Sequence, residues 1–169
     1  MSVVADYDND RIQIFNSQGQ FVRKFGFYGK RNDQMNGPVG VGLLSNGNIV
    51  VSDEGGHRLQ IFDFEGNFVR IVGAGQVHCP QQLFVDSDDN ILVADYSNDR
   101  IQVFNQSGDH IKCIGTGRLL NPLGVCMDPE GRVLVSESVG RIFIFSLVSP
   151  QRRGMFQSFS FLLPLVQRK

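Results

Sequence analysis

Four acidic residues recur along the chain, each followed at a nearly constant distance by an arginine: Asp6 with Arg11, Asp53 with Arg58, Asp95 with Arg100, and Glu137 with Arg141. A carboxylate and a guanidinium separated by a short turn form a charge-assisted hydrogen bond. A reaction centre is built once, whereas these pairs come once per repeat, so they read as structural pairs that pin a loop. In the last pair the intervening loop is one residue shorter, and the longer glutamate can recover the lost reach. The histidines are His57, His78 and His110. His57 and His78 can ligate a metal in principle, but no third ligand shares their spacing, so neither a metal nor a cofactor is expected. Cys79, Cys113 and Cys126 are odd in number and contain no CxxC pair, which signals neither a zinc ribbon nor a disulfide framework. They read as small apolar residues in a reducing compartment. No nucleophile elbow or phosphate-binding loop occurs. The glycine pairs at Gly73/Gly75 and Gly115/Gly117 end strands instead of opening helices. No catalytic residue is nominated and the chain is not read as an enzyme.

The elements that position these residues follow from the repeat. The acids stand at 6, 53, 95 and 137, the prolines at 38, 80 and 122, and the glycines at 26, 73 and 115, all in steps of 42 or 47. Each arginine opens an apolar run that ends in phenylalanine: Ile12-Gln13-Ile14-Phe15, Leu59-Gln60-Ile61-Phe62, Ile101-Gln102-Val103-Phe104 and Ile142-Phe143-Ile144-Phe145. Within a period the pattern predicts four short strands, here called a to d. In the second repeat these are 39–44, 49–52, 58–62 and 68–72, with Asn46-Gly47 supplying a hairpin turn. In the third they are 82–85, 91–94, 100–104 and 111–114. No segment has sustained helical spacing. Strands this short and apolar on both faces need a neighbour on each side, and four strands per forty-odd residues is the module of a β-propeller.

In such an array the b–c and d–a loops share one face. Loops on rigid blades are the usual seat of binding. The d–a loop over 27–37 is the longest and carries Tyr28, Lys30 and Arg31. Arg118 lies in the third d–a loop and Tyr96 in a b–c loop. Aromatics interleaved with cations suit base stacking and phosphate contacts, so these five residues form the candidate ligand-binding rim. Asp8, Asp10, Asp33, Glu54 and Asp99 share that face, which equally describes a mixed-charge solvated rim or a protein-binding one.

A net charge of −1 gives no global basic field for nucleic acid. The N-terminus has no charged region followed by an apolar one, and no apolar run reaches the ~18 residues of a membrane span. The sequence therefore reads as cytoplasmic, with no membrane partner.

The segment Asp95-Tyr96-Ser97-Asn98-Asp99-Arg100-Ile101-Gln102-Val103-Phe104 resembles the central signature of NHL repeats, as does Gly55-Gly56-His57-Arg58-Leu59-Gln60-Ile61-Phe62-Asp63. Gly19 to Gly26 is similar to the outer strand. Asn36-Gly37-Pro38-Val39-Gly40-Val41 and Asn121-Pro122-Leu123-Gly124-Val125 are similar to the entry of the inner strand. The resemblance spans about residues 3 to 145 and is most like the C-terminal propeller of TRIM-NHL proteins. It implies an all-β fold, an incomplete NHL β-propeller of about four four-stranded blades. The expected divisions are a partial blade over 1–37, blades over 38–79 and 80–121, and a partial blade over 122–145. An atypical tail over 146–169 would serve as an outer strand or be disordered. The resemblance also implies a binding scaffold for single-stranded RNA or a protein partner, linked to RNA regulation and ubiquitination, or alternatively a protein-only scaffold or substrate-recognition module. A metal-dependent propeller enzyme is the remaining reading. Three cysteines cannot supply a two-zinc RING, so ligase activity would belong to a longer relative. The chain starts inside a repeat and reads as a fragment, for which self-association through open blade edges is expected.

Overall fold

The computed structural model describes residues 1–146; of the expected tail over 146–169, Ser146 ends the last strand and 147–169 lie outside the described residues. Among the described residues fourteen strands form four antiparallel sheets. The first sheet holds β1 (Ser2–Asp6), β2 (Arg11–Phe15) and β3 (Phe21–Phe25). The second holds β4 (Pro38–Leu43), β5 (Ile49–Asp53), β6 (Arg58–Phe62) and β7 (Phe68–Val72). The third holds β8 (Pro80–Val85), β9 (Ile91–Asp95), β10 (Arg100–Phe104) and β11 (His110–Ile114). The fourth holds β12 (Pro122–Met127), β13 (Arg132–Glu137) and β14 (Ile142–Ser146). Each sheet is a simple meander, with every strand paired to its chain neighbours. Among the described residues the helical content is two single 3₁₀ turns, Tyr7–Asn9 and Tyr96–Asn98, both in b–c loops.

The apolar residues sort into three layers, one between each pair of successive sheets. Ile12 and Ile14 meet Met35, Ile49, Val51 and Phe62. Leu59, Ile61 and Val72 meet Leu83, Ile91, Val93 and Phe104. Leu92, Ala94, Ile101 and Val103 meet Val125, Val133 and Val135. The two-residue strand period decides this partition: alternate side chains of one strand enter the layers on opposite sides of its sheet. Leu59 and Ile61 point toward the third sheet, while Phe62 joins the layer toward the first. Each fully buried large aliphatic contributes roughly 1.5–3 kcal/mol, so the core is a set of inter-sheet contacts rather than one central mass.

The inner strand β8 lies between β4 and β12. Close approach there requires a missing side chain. A Cβ on Gly40 would stand 2.8 Å from the Leu83 backbone nitrogen. In its place the Ser52 hydroxyl accepts the Gly40 N–H (2.7 Å) and donates to the Gln81 carbonyl (2.6 Å), joining two blades through one oxygen.

The a–b turns also join blades. Asp89 accepts hydrogen bonds from the Ser45 N–H (2.8 Å) and the Ser45 hydroxyl (2.5 Å) of the preceding blade. The Ser45 hydroxyl and then its amide hold the Asp89 carboxyl below its ordinary value of 3.8. The carboxyls of Asp6 and Asp63 are lowered as well, Asp6 chiefly by Asn9 and Arg11, Asp63 chiefly by Asn67. A carboxylate whose pKa falls on folding stabilises the fold above its unfolded pKa, and that stability is lost as pH drops through the folded value. The melting temperature is therefore expected to be flat from neutral pH to about 5 and to fall below about 4. Asp89→Asn should shallow that acid limb in pH-resolved calorimetry; an unchanged melt between pH 5 and 3 contradicts the assignment.

Candidate functional site

In blades two to four the b–c loop meets the incoming d–a loop at one end, and the recurrent acids hold them together. In blade two the Asp53 Oδ2 accepts the Arg58 Nε–H at 2.9 Å, and its Oδ1 accepts the Asn36 backbone N–H at 2.6 Å. Asp53 is fully buried and the Arg58 side chain is 8% exposed. Blade three repeats the arrangement: Arg100 Nε donates to Asp95 Oδ2 (3.1 Å) and the His78 N–H donates to Oδ1 (2.7 Å). In blade four Glu137 makes both contacts, with Arg141 Nε at 2.6 Å and the Leu120 N–H at 2.6 Å. The extra methylene of glutamate spans the shorter loop. In blade one Asp6 pairs with Arg11 at 2.7 Å, but this pair is part-exposed and takes Asn9 and Gln13 as its other donors.

The acid thus does more than pair with its arginine. It captures the d–a loop that arrives from the previous blade. The rest of the arginine continues the job. Arg58 donates to the carbonyls of Lys30 (3.3 Å), Arg31 (2.8 Å) and Gln34 (2.9 Å). The Gln60 amide donates to the carbonyls of Asn32 (2.8 Å) and Gln34 (2.7 Å). In blade three Arg100 and Gln102 both donate to the Gln76 carbonyl.

A second device recurs one position before the first three arginines. Asp10, His57 and Asp99 all adopt left-handed φ (50°, 52° and 54°). Each accepts the N–H of the residue before the next recurrent proline: Gly37 to Asp10 (2.8 Å), Cys79 to His57 Nδ1 (3.1 Å) and Asn121 to Asp99 (2.7 Å). Gly37, Cys79 and Asn121 are left-handed too (75°, 50° and 48°). Sequence reasoning missed these inter-blade clasps, although the repeat alignment holds the signal: the acceptors precede the aligned arginines and the donors precede the aligned prolines. Further across the same face, Tyr7 donates to Glu54 (2.8 Å), which also accepts Gln81 (2.9 Å). This contact with Glu54 raises the Tyr7 phenol pKa.

A family model described as NHL repeat matches residues 35–62 and 78–104. These two segments match the NHL repeat. The matched segments include two of the acid–arginine pairs, together with the His57–Cys79 clasp and the acceptor Asp99. The chain is 45% identical over 51 residues to Protein brain tumor of Drosophila melanogaster, a match covering 30% of this chain and 5% of that protein. Among solved structures it is similar to virginiamycin B lyase from Staphylococcus aureus, at 17% identity and TM-score 0.60, covering 88% of this chain and 52% of that one. It is also similar to hydrazine synthase from Kuenenia stuttgartiensis, at 10% identity and TM-score 0.68, covering 84% and 41%. At these identities the likeness is one of fold, a propeller array of four-stranded sheets. The chain spans about half the length of these structures.

On the b–c/d–a face the five rim residues fall into two groups. Tyr28, Lys30 and Arg31 stand on the loop between the first two blades, all exposed, with Arg31 at 3.6 Å from Asp33. Tyr96 and Arg118 stand on neighbouring loops two blade boundaries further on, joined through the Asp99–Asn121 clasp and an Asn121 contact to the Tyr96 carbonyl. Arg118 lies over the Phe145 ring, 5.7 Å from its centroid. Among the described residues no helix is long and apolar enough to cross a membrane. The three described cysteines are free thiols.

Proposed function

We propose that this chain is a non-catalytic recognition scaffold that binds single-stranded RNA across its b–c/d–a face, with the loop over 27–37 as the principal contact. One observation carries the reading: Arg58 and Gln60 engage the backbone carbonyls of residues 30, 31, 32 and 34, while the side chains of 30 to 33 stay exposed to solvent. Phe27 is 49% and Tyr28 66% exposed, and the Arg31 side chain 72%. Large apolar rings are costly to leave in water, and here they sit beside two cations on a backbone fixed by a buried ion pair. Stacking platforms next to phosphate-binding cations are how sequence-tolerant single-strand binders work. The resemblance of the repeats to TRIM-NHL propellers favours the same reading, and the free thiols suit a cytoplasmic location.

Fluorescence anisotropy with a single-stranded RNA oligonucleotide across a salt series tests this. Affinity should fall with salt, with a log–log slope of roughly −0.7 per phosphate contact. Lys30→Ala with Arg31→Ala should shallow that slope by about 1.4. Tyr28→Ala should weaken binding by about 1–3 kcal/mol. Salt-independent binding, or none, overturns the proposal. The second reading is a protein partner, including a substrate-recognition role in ubiquitination. The Arg31–Asp33 pair and the exposed Asp8 favour it, since carboxylates beside the cations repel phosphate.

A further inference from the structure

His57, His78 and Cys79 lie together at the boundary between the second and third blades, with their ligand atoms within 4.8 Å of one another. We propose that these three side chains form a zinc site that bridges the b–c loop of one blade to the d–a junction of the next.

The same three positions hold different residues at the other two boundaries. The clasp acceptor is Asp10 at the first boundary and Asp99 at the third, but His57 at the second. The clasp donor is Gly37 and Asn121 at those boundaries, both residues that tolerate left-handed φ, but Cys79 at the second. The residue before the donor, whose N–H the buried acid accepts, is Asn36 and Leu120, but His78 at the second. Carboxylate, glycine, asparagine and leucine satisfy the backbone geometry, so the fold itself asks for neither histidine nor cysteine at any of the three. At one boundary all three change together, and all three become soft or borderline metal ligands. Cysteine carries an added cost there, since it is held at φ 50° without the local side-chain bonding that eases asparagine into this region.

Geometry agrees with the donor chemistry. The two imidazoles stack at 4.2 Å between centroids, with 25° between planes. His78 and Cys79 are adjacent in sequence, and His57 accepts the Cys79 amide, so backbone contacts already described hold the three residues together. Zinc bonds of about 2.0–2.3 Å place tetrahedral ligands roughly 3.5 Å apart. Closing the present spread therefore takes about an ångström of side-chain rotation, with His78 exposed and Cys79 half-buried. The site supplies two nitrogens and one thiolate and leaves the fourth position to water.

Loading has a defined structural consequence. The His57 Nδ1 lone pair now accepts the Cys79 N–H. A metal at Nδ1 takes that lone pair, and a metal at Nε2 requires the tautomer with a proton on Nδ1. Either way the clasp hydrogen bond is exchanged for a metal bridge between the same two segments, and the Cys79 thiol releases its proton on binding.

The test uses the full chain, reduced, with zinc and cobalt as probes. Cobalt should give tetrahedral visible bands and a thiolate charge-transfer band in the near ultraviolet, and zinc should displace it at one equivalent. Substitutions copied from the other boundaries keep the fold while removing ligands: His57→Asp, His78→Leu and Cys79→Asn. Cys79→Asn should abolish the charge-transfer band, and His78→Leu should weaken zinc binding at least tenfold. His110→Ala, in the other His–Cys pair (His110 Nε2 to Cys113 Sγ, 3.4 Å), should leave both intact. No charge-transfer band in the parent chain, a band that survives Cys79→Asn, or a band lost with His110→Ala overturns the proposal.

Discussion

Asp53→Ala is expected to cost about 3–5 kcal/mol of stability, measured by urea unfolding, because it strands a buried guanidinium. Asp53 is wholly buried against Arg58. Removing the carboxylate leaves the Arg58 Nε without its anion and also frees the Asn36 N–H that Oδ1 holds. The loss spreads outward, since Arg58 and Gln60 anchor the loop over 27–37 through carbonyl contacts that depend on the placement of Arg58. Such a change is a large part of the ~5–15 kcal/mol that holds an ordinary domain together. Asp6→Ala removes the same motif residue from a part-exposed pair and should move the unfolding midpoint far less. Equal midpoints for the two variants would show that burial of the pair is not what gives it strength. The same variant joins stability to recognition: if the loop is presented by Arg58, Asp53→Ala should also weaken ligand binding at temperatures where the fold persists.

Phe104→Ala should cost a similar 3–5 kcal/mol, the typical loss for a fully buried aromatic whose cavity only partly collapses. Phe104 is 0% exposed and lies in the layer that joins the second and third blades, with Val72 and Val77 among its neighbours. Its ring also closes on Gly73, where a Cβ would come within 3.1 Å. Phe15 ends the same run in the first blade and is part-exposed, meeting the Phe21 ring of its own sheet edge-on at 6.0 Å but no second sheet among the described residues. Phe15→Ala should therefore cost much less. Comparable losses for the two would mean that the layers between sheets do not carry the core.

Much of the site was legible because its devices recur. An acid, an arginine and a terminal phenylalanine once per forty-odd residues fix strands b and c and the turn between them, and the expected strand bounds differ from the observed ones by a residue or two. The second partner of each acid was not legible. Nothing in the order of residues says that Asp53 also receives the Asn36 amide, 17 positions earlier, because that contact exists only after one blade's loop docks on the next. The grouping of Cys79 with His57 and His78 was hidden for the same reason. His57 and Cys79 are 22 positions apart, and the expectation that no third ligand accompanies the histidines rests on linear spacing. The fold brings the Cys79 thiol within 4.8 Å of both imidazoles.

The chain's own pattern determined that it forms short antiparallel strands in four-stranded units, that these units repeat, and which residues close each b–c turn. Local chemistry suffices for that: strand period, hairpin glycines and a carboxylate within reach of a guanidinium. Tertiary structure decided how much each copy matters. Arg11-Ile12-Gln13-Ile14-Phe15 and Arg58-Leu59-Gln60-Ile61-Phe62 differ at a single position, yet every residue of the second is buried and only Ile12 and Ile14 are buried in the first. The second strand has a sheet on each side and the first has one, and the energy of an ion pair or an aromatic ring follows the dielectric and packing that those neighbours create.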